Sequence, residues 1–156
     1  MFKGAFTHWA VSHAIMDKLN QFGIQNVHYK PDFSKCYLCL KPCPKIPHEG
    51  FNVVVYMPPP KESLFGNNRA YVEWVYGFDI IREVMQRFPA NWIVVDGSQC
   101  MCDVWPYADA YIRPNRHDGA PRMVMEAKRL HIPTYWDREF KPTTEKVINF
   151  LEELKC

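Results

Sequence analysis

Short apolar runs alternate with amphipathic helical segments along this chain of 156 residues. Residues 53–55 are consecutive valines within the run 51–57, and residues 92–95 form a second apolar run. An unbroken apolar run suits a strand that is buried on both faces, as strands of parallel sheets are. Strands separated by helices require parallel pairing and right-handed crossovers. The sequence therefore predicts an α/β fold, with a single doubly wound, Rossmann-like parallel sheet of about five strands and helices on both faces.

The five predicted strands are residues 24–29, 51–57, 92–95, 110–113 and 132–136. Apolar residues at helical spacing predict helices at about 8–22, at 71–88, from 121 to 130, and from about 142 to 154. Ligands of such sheets bind outside the carboxyl ends of the strands. We therefore expect a binding site among the loops 57–70, 96–103, 113–121 and 136–142.

The composition excludes several classes of protein. Apolar residues make up 47% and charged residues 23%, as in a globular chain of one domain, here predicted to span residues 1–156 with a Cys- and Pro-rich loop at 34–50. A net charge of +2 is too small for an extended nucleic-acid surface, so no nucleic-acid partner is predicted. No apolar run is long enough to span a membrane, and residues 1–10 lack the apolar core of a secretion signal. We therefore expect a cytoplasmic protein without a membrane span.

The loop that follows the strand at 110–113 has the residues of an anion-binding site. Gly119 lies just before a predicted helix, where a ligand can approach the backbone and first-turn amides have no partner within the helix. Positive charge is available nearby from Arg113, Arg116, His117 and Arg122. Asp118 can accept hydrogen bonds from hydroxyl groups, and Glu126, eight positions later, reaches a different part of the same ligand. Phosphate and hydroxyl recognition together indicate a sugar nucleotide.

Four segments of this region resemble a known family, at residues 108–114, 118–119, 125–127 and 132–134. They are similar to the nucleotide-sugar-binding half of the glycosyltransferase group 1 family, which has the GT-B fold and retains anomeric configuration. An acidic pair with seven residues between its members brackets the donor in that family. The resemblance implies that Asp118, with the backbone of Gly119 and Ala120, faces the sugar and that Glu126 holds the ribose. The family usually has Glu and Phe where this chain has Asp118 and Ala120.

A weaker resemblance covers residues 53–61 and the segment 12–32 that leads into the domain. The family has an Arg and then a Lys at the end of the first of these strands, and both hold the donor diphosphate. Lys61 matches the Lys, whereas Tyr56 stands where the Arg is expected, so the charges of Arg113 and Arg116 are the candidates to replace it. The resemblance implies that Asp118, Lys61 and Arg116 are catalytic and that charge on the leaving diphosphate is stabilised without an enzyme nucleophile.

The resemblance implies an enzyme of the hexosyltransferase type that needs no cofactor and uses a UDP-, GDP- or ADP-sugar as donor. The family also has an N-terminal acceptor-binding domain, for which 156 residues leave no space. We therefore expect an unknown acceptor that is presented by a second copy of the chain or by a partner subunit. The alternative is a non-catalytic nucleotide-sugar-binding module or assembly subunit. The missing domain favours this module, and the acidic pair with its basic loop favours the enzyme.

Several candidate residues also have a purely structural interpretation. Arg122 and Glu126 are four positions apart and could form a solvated ion pair on the outer face of a helix. Lys61 and His117 could be ordinary exposed residues. Three aromatic residues could stack on a base, although aromatic residues at strand ends usually complete a core, and we interpret them as core residues: Trp105, Tyr107 and Trp136.

The cysteines raise a separate question. Four residues have the spacing of a zinc site with three thiolates and one imidazole, namely Cys36, Cys39, Cys43 and His48. The second Cys-x-x-Cys that usually accompanies such a site is missing. Cys100 and Cys102 are too close for an easy mutual disulfide, but either could pair with the first cluster. Zinc, a disulfide and free thiols are therefore open alternatives, and no metal ligand is predicted in the donor site.

Overall fold

A computed structural model of the protein describes residues 8–10, 13–23, 27–29, 44–58, 69–117 and 121–155. The strands are β1 (His8–Ala10), β2 (Val27–Tyr29), β3 (Asn52–Tyr56), β4 (Asn91–Val95), β5 (Ala110–Arg113) and β6 (Thr134–Trp136). The helices are α1 (His13–Gln21), α2 (Arg69–Val75), α3 (Phe78–Arg87), α4 (Arg122–Arg129) and α5 (Thr144–Lys155). Two short 3-10 turns, Met101–Asp103 and Trp105–Tyr107, connect β4 to β5.

The main sheet has four parallel strands in the order β4-β3-β5-β6. The chain passes from β3 to β4 on one side, then crosses to β5 on the other side of β3, so the direction of winding reverses between β3 and β5. The predicted doubly wound α/β fold is confirmed, with four strands in the sheet where about five were expected. The strand predicted at 24–29 is observed as β2, and it pairs with β1 in a separate two-stranded parallel sheet.

The first helix begins later in the chain than the sequence predicts. Residues 8–10 form β1, whereas the expected helix started at about residue 8, and α1 begins at His13. The backbone of β1 pairs with β2, so that His8 lies opposite Val27. This pairing joins distant segments, and helical periodicity within one segment does not report it.

Both faces of the main sheet are covered by helices. Val53 and Val55 of β3 are fully buried on one face. They belong to a cluster to which α3 and α5 contribute Ile81, Val84, Val147 and Leu151. Val54 points to the opposite face, where its cluster includes Trp105, Tyr111, Val124 and Ala127. The predicted inward stripes of α4 and α5 are confirmed at Val124, Ala127, Val147 and Leu151.

The helix predicted over residues 71–88 is interrupted. Gly77 separates α2 from α3 and has φ 67°, a left-handed conformation that favours glycine. A Cβ at this position would lie 2.2 Å from the carbonyl oxygen of Pro114. The interruption therefore allows the loop after β5 to approach α2, where the Arg116 amide donates to the Val75 carbonyl at 2.9 Å. Apolar spacing continues across the break and does not reveal it.

The last helix begins where the sequence predicts. The Lys146 amide donates to Thr143 Oγ1 at 3.2 Å, so the threonine hydroxyl serves as an N-terminal cap next to Pro142. α5 then runs for 12 residues. None of the helices in the described ranges is long and apolar enough to cross a membrane.

Candidate functional site

A cavity of about 360 Å³ lies at the carboxyl ends of β3, β4 and β5. Tyr56 ends β3, Gly97 follows β4, and Arg113 ends β5, and all three line the cavity. This is the switch point of the sheet, where ligands of doubly wound folds bind, and the volume is typical of small-molecule sites. Other lining residues include Tyr76, Gln99, Trp105, Arg122, Met123 and Glu126. Of the loops expected to form the site, 96–103 and 113–121 contribute lining residues.

Glu126 lies in the cavity wall and is only 5% exposed. Trp105 Nε1 donates to Glu126 Oε2 at 3.3 Å, whereas Glu126 Oε1 receives no hydrogen bond from the described residues. Arg122 Nε lies 3.9 Å from Oε1, which is beyond hydrogen-bond distance. A buried carboxylate oxygen without a donor is costly, so this atom is suited to accept from a ligand. Its burial excludes the interpretation of Arg122 and Glu126 as a solvated surface pair.

Arg113 places a buried cation beside the same cavity. Arg113 is 9% exposed. Its guanidinium lies 5.1 Å from the Tyr56 ring centroid and 5.7 Å from that of Tyr76. Nη1 also donates to the Tyr111 hydroxyl at 3.3 Å. Aromatic faces attract and orient a cation. The guanidinium is therefore held in one place beside the cavity.

Tyr56 is a second polar residue of the cavity lining, next to Arg113. Burial is the main cause that raises the pKa of its phenol above the usual value, with the neighbouring Tyr76 contributing and Arg113 opposing. The phenol is therefore neutral at physiological pH and can donate a hydrogen bond. Its ring packs edge-on against Tyr76, with centroids 5.7 Å apart.

Arg116 is held away from the cavity lining. Its Nη1 and Nη2 donate to the two carboxylate oxygens of Asp79 at 2.7 and 2.6 Å, and Nη1 also donates to the Trp74 carbonyl at 2.8 Å. The guanidinium lies 5.3 Å from the Trp74 ring centroid. The hydrogen bond from Arg116 is the main cause that lowers the pKa of Asp79. Arg116 therefore ties the loop after β5 to the α2–α3 break.

His117 is exposed, and its ring lies 6.3 Å from that of Phe140, in the connection between β6 and α5. The structure thus brings together three of the predicted site residues, Arg113, Arg122 and Glu126, around one cavity. Four more predicted residues lie outside the described ranges: Lys61, Asp118, Gly119 and Ala120. Their roles, and that of His117, stay predictions.

Several lining residues were not predicted from the sequence, and Tyr76 and Trp105 are two of them. Tyr76 lines the cavity because the chain breaks at Gly77, and a pattern that predicts a continuous helix contains no signal of this. Trp105 also lines the cavity, although it is buried as the core interpretation requires. Its position after the end of β4, on the ligand side of the sheet, was the available signal. Tyr107 is 39% exposed, and this departs from the core interpretation.

The proposed zinc site is only in part within the described residues. Cys36, Cys39 and Cys43 lie outside them, and no group of three or more His, Cys, Asp or Glu residues in the described ranges could hold a metal. His48 Nε2 lies 3.5 Å from Asp109 Oδ2. Cys100 and Cys102 are thiols that line the cavity.

Fold and site together define a doubly wound α/β protein with a ligand cavity at its switch point. The sequence matches no protein-family model, and no curated protein and no solved structure shows significant similarity to the chain. Function is therefore inferred from the cavity residues and their chemistry.

Proposed function

We propose that this protein binds a nucleoside diphosphate sugar in the cavity and transfers the sugar with retained configuration, as retaining glycosyltransferases do. The supporting observation is the Oε1 atom of Glu126, buried in the cavity wall and without a donor among the described residues. Arg113 and Arg122 line the same cavity. A ligand that carries both hydroxyl groups and a diphosphate complements this pairing of an acceptor with cations.

In this arrangement Glu126 accepts from a ribose hydroxyl, and such a bond to a charged group contributes about 1.5–3 kcal/mol. Arg113 and Arg122 bind the diphosphate. Tyr56 stands where the resembling family has an arginine, and the guanidinium of Arg113 lies against its ring. We assign to Arg113 the charge that the missing arginine would supply, with the neutral Tyr56 phenol as an additional donor.

The proposed transfer needs no covalent enzyme intermediate. The acceptor hydroxyl oxygen forms a bond to the anomeric carbon on the face from which the diphosphate leaves, while the bond between that carbon and the phosphate oxygen breaks. The acceptor proton passes to the leaving phosphate, so charge and atoms balance. The protein stabilises the negative charge that develops on the diphosphate, and Lys61, Arg116 and the amides near Gly119 are the groups predicted for this from the sequence.

The alternative function is donor binding without transfer, in a sensor or an assembly subunit. One observation favours it: both guanidinium nitrogens that Arg116 would offer to a diphosphate are bound to Asp79. The two functions share the cavity and differ only in turnover.

Calorimetric titration with UDP, GDP and ADP tests the binding proposal. We expect at least one of them to bind, and we expect Glu126→Gln to weaken that affinity by about 10- to 100-fold, because a charge-assisted hydrogen bond is lost. Arg122→Ala should weaken binding of the nucleoside diphosphate more than binding of the corresponding nucleoside. The control is Arg129→Ala, an exposed residue on the same helix that does not line the cavity. Absence of binding by all three nucleotides would refute the proposal.

Turnover separates the enzyme from the binding module. With the sugar nucleotide of the preferred base and no acceptor, an enzyme should slowly release free sugar to water, and chromatography of the products detects this. We expect Asp118→Asn to reduce that release while nucleotide affinity is retained. Tight binding without any release of sugar over a day would favour the module.

A further inference from the structure

Two aromatic residues are buried beneath the cavity and contact each other. Trp105 is 4% exposed and Tyr111 is fully buried. Their rings meet edge to face, with centroids 5.4 Å apart and planes at 75°. Trp105 belongs to the 3-10 turn before β5, and Tyr111 lies within β5, so both are fixed by regular backbone.

Each ring directs its polar atom at a different charged residue of the cavity, and the Tyr111 hydroxyl also donates to Met123 Sδ at 3.8 Å. Trp105 Nε1 donates to Glu126 Oε2, and the Tyr111 hydroxyl accepts from Arg113 Nη1, both at 3.3 Å. The first bond restricts rotation of the Glu126 carboxylate, whose end torsion is otherwise broad, and leaves Oε1 for a ligand. The second bond restricts the Arg113 guanidinium, which the flanking rings of Tyr56 and Tyr76 also hold. One buried aromatic contact therefore connects the acceptor and the cation of the site.

We propose that Trp105 and Tyr111 are positioning residues of this site. Trp105 orients Glu126 toward a ligand hydroxyl, Tyr111 orients Arg113 toward a ligand phosphate, and the contact between their rings sets the spacing of the two. The ligand chemistry rests on the function proposed above, whereas the contact between Trp105 and Glu126 can be tested without any nucleotide.

A purely structural role makes a different prediction. If the two rings only fill the core, Trp105→Phe and Tyr111→Phe should lower stability and weaken every ligand by a similar factor. A positioning role requires each substitution to affect one kind of contact, because Trp105→Phe removes the donor to Glu126 and Tyr111→Phe removes the oxygen that accepts from Arg113.

The affinity test uses whichever of UDP, GDP and ADP the wild-type protein binds most tightly, together with its 2′,3′-dideoxy analogue and its nucleoside. We expect Trp105→Phe to lower the preference for the ribonucleotide over the dideoxy analogue by about fivefold to tenfold, with the preference for diphosphate over nucleoside unchanged within about twofold. Tyr111→Phe should do the reverse. Combining Trp105→Phe with Glu126→Gln should give no further loss of ribose preference than Glu126→Gln alone, since the two act through one contact.

A second test needs no ligand. In the proton–nitrogen-15 correlation spectrum of the protein without ligand, the signal of the Trp105 indole N–H is identified by its absence in Trp105→Phe. We expect its proton to move upfield in Glu126→Gln, where a neutral acceptor replaces a charged one, and to stay in place in Glu152→Gln, an exposed control on α5.

The two proposals fail in different ways. If the wild-type protein binds none of the nucleotides, the proposed function is wrong, and the indole resonance then decides whether Trp105 contacts Glu126. An unchanged resonance in Glu126→Gln, or equal losses of both preferences in the two affinity variants, overturns the positioning proposal.

Discussion

Arg113 and Arg116 are three positions apart, yet their surroundings differ completely. Arg113 lies against the rings of Tyr56 and Tyr76 beside the cavity. Arg116 is bound by Asp79 through two hydrogen bonds. Both were candidates to hold a diphosphate, because the residue type and the loop are the same. The described geometry supports the candidacy of Arg113 and gives Arg116 an anchoring contact.

At the residue scale, Asp79→Asn tests this anchoring contact. We expect the free energy of unfolding to fall by no more than about 1 kcal/mol, because the side chain of Asp79 is 58% exposed and water screens the pair. The pKa of Asp79 is lowered in the folded state, so the stabilisation is present at neutral pH and is lost as the pH falls through that lowered value. Urea unfolding at pH 7 and at low pH measures the difference.

Asp103→Asn is the matched control, because Asp103 is an exposed acid that does not line the cavity. Nucleotide affinity should be the same in wild-type protein and Asp79→Asn. An affinity that rises in Asp79→Asn would show instead that the released Arg116 reaches the ligand, which would support its predicted catalytic role.

At the scale of elements, the α2–α3 break places Tyr76 at the cavity. Two glycines allow the need for glycine at this break to be measured, because Gly77 and Gly23 have similar positive φ angles of 67° and 72°. A Cβ at Gly77 would lie 2.2 Å from the Pro114 carbonyl oxygen, whereas a Cβ at Gly23 would have no atom of the described residues within 4 Å. The pair separates backbone strain from steric overlap.

We expect Gly23→Ala to cost about 1–2 kcal/mol of unfolding free energy, which is the strain of a left-handed alanine. Gly77→Ala should cost more than about 3 kcal/mol, because the loop after β5 must also move. Chemical denaturation measures both, and Gly77→Ala should weaken nucleotide binding as well. Similar costs for the two substitutions would contradict the close approach of Pro114 to α2.

At the scale of the whole molecule, Asp109 joins the opposite end of the sheet to the segment that precedes β3. Its Oδ1 accepts from Lys45 Nζ and its Oδ2 from the Asn52 amide at 2.8 Å. Burial opposes ionisation, but the bonds from Asn52 and Lys45 prevail and lower the pKa of Asp109. This anchor lies at the amino ends of the strands, away from the cavity.

We expect Asp109→Ala to lower the free energy of unfolding by about 1–3 kcal/mol at pH 7, because the Asn52 amide loses its acceptor. The pKa of the aspartate is lower in the folded than in the unfolded state, so the difference from wild type should shrink as the pH falls below about 4. Urea titrations at pH 7 and pH 3 test this, with the exposed Glu49→Ala in the same segment as control. A pH-independent difference would show that the charge of Asp109 does not contribute.

The local pattern of the sequence determined the fold class and much of its core. The apolar run at Val53, Val54 and Val55 predicted a strand buried on both faces, and the helical spacing of Val147 and Leu151 predicted an inward stripe. These predictions succeeded because burial on a strand or a helix repeats with the period of the backbone. The rule that ligands bind at the carboxyl ends of parallel strands also places Arg113 at the ligand edge of the sheet, where it lines the cavity.

Tertiary structure decided the environment of each candidate side chain. Whether Glu126 forms a solvated pair or a buried wall of the cavity depends on Trp105, which lies 21 positions earlier in the chain and contacts it only after folding. The break at Gly77 likewise depends on the approach of Pro114 from another loop. Periodicity records contacts within one segment, whereas the hydrogen bonds, burial and close approaches that define this site join segments that are distant in sequence.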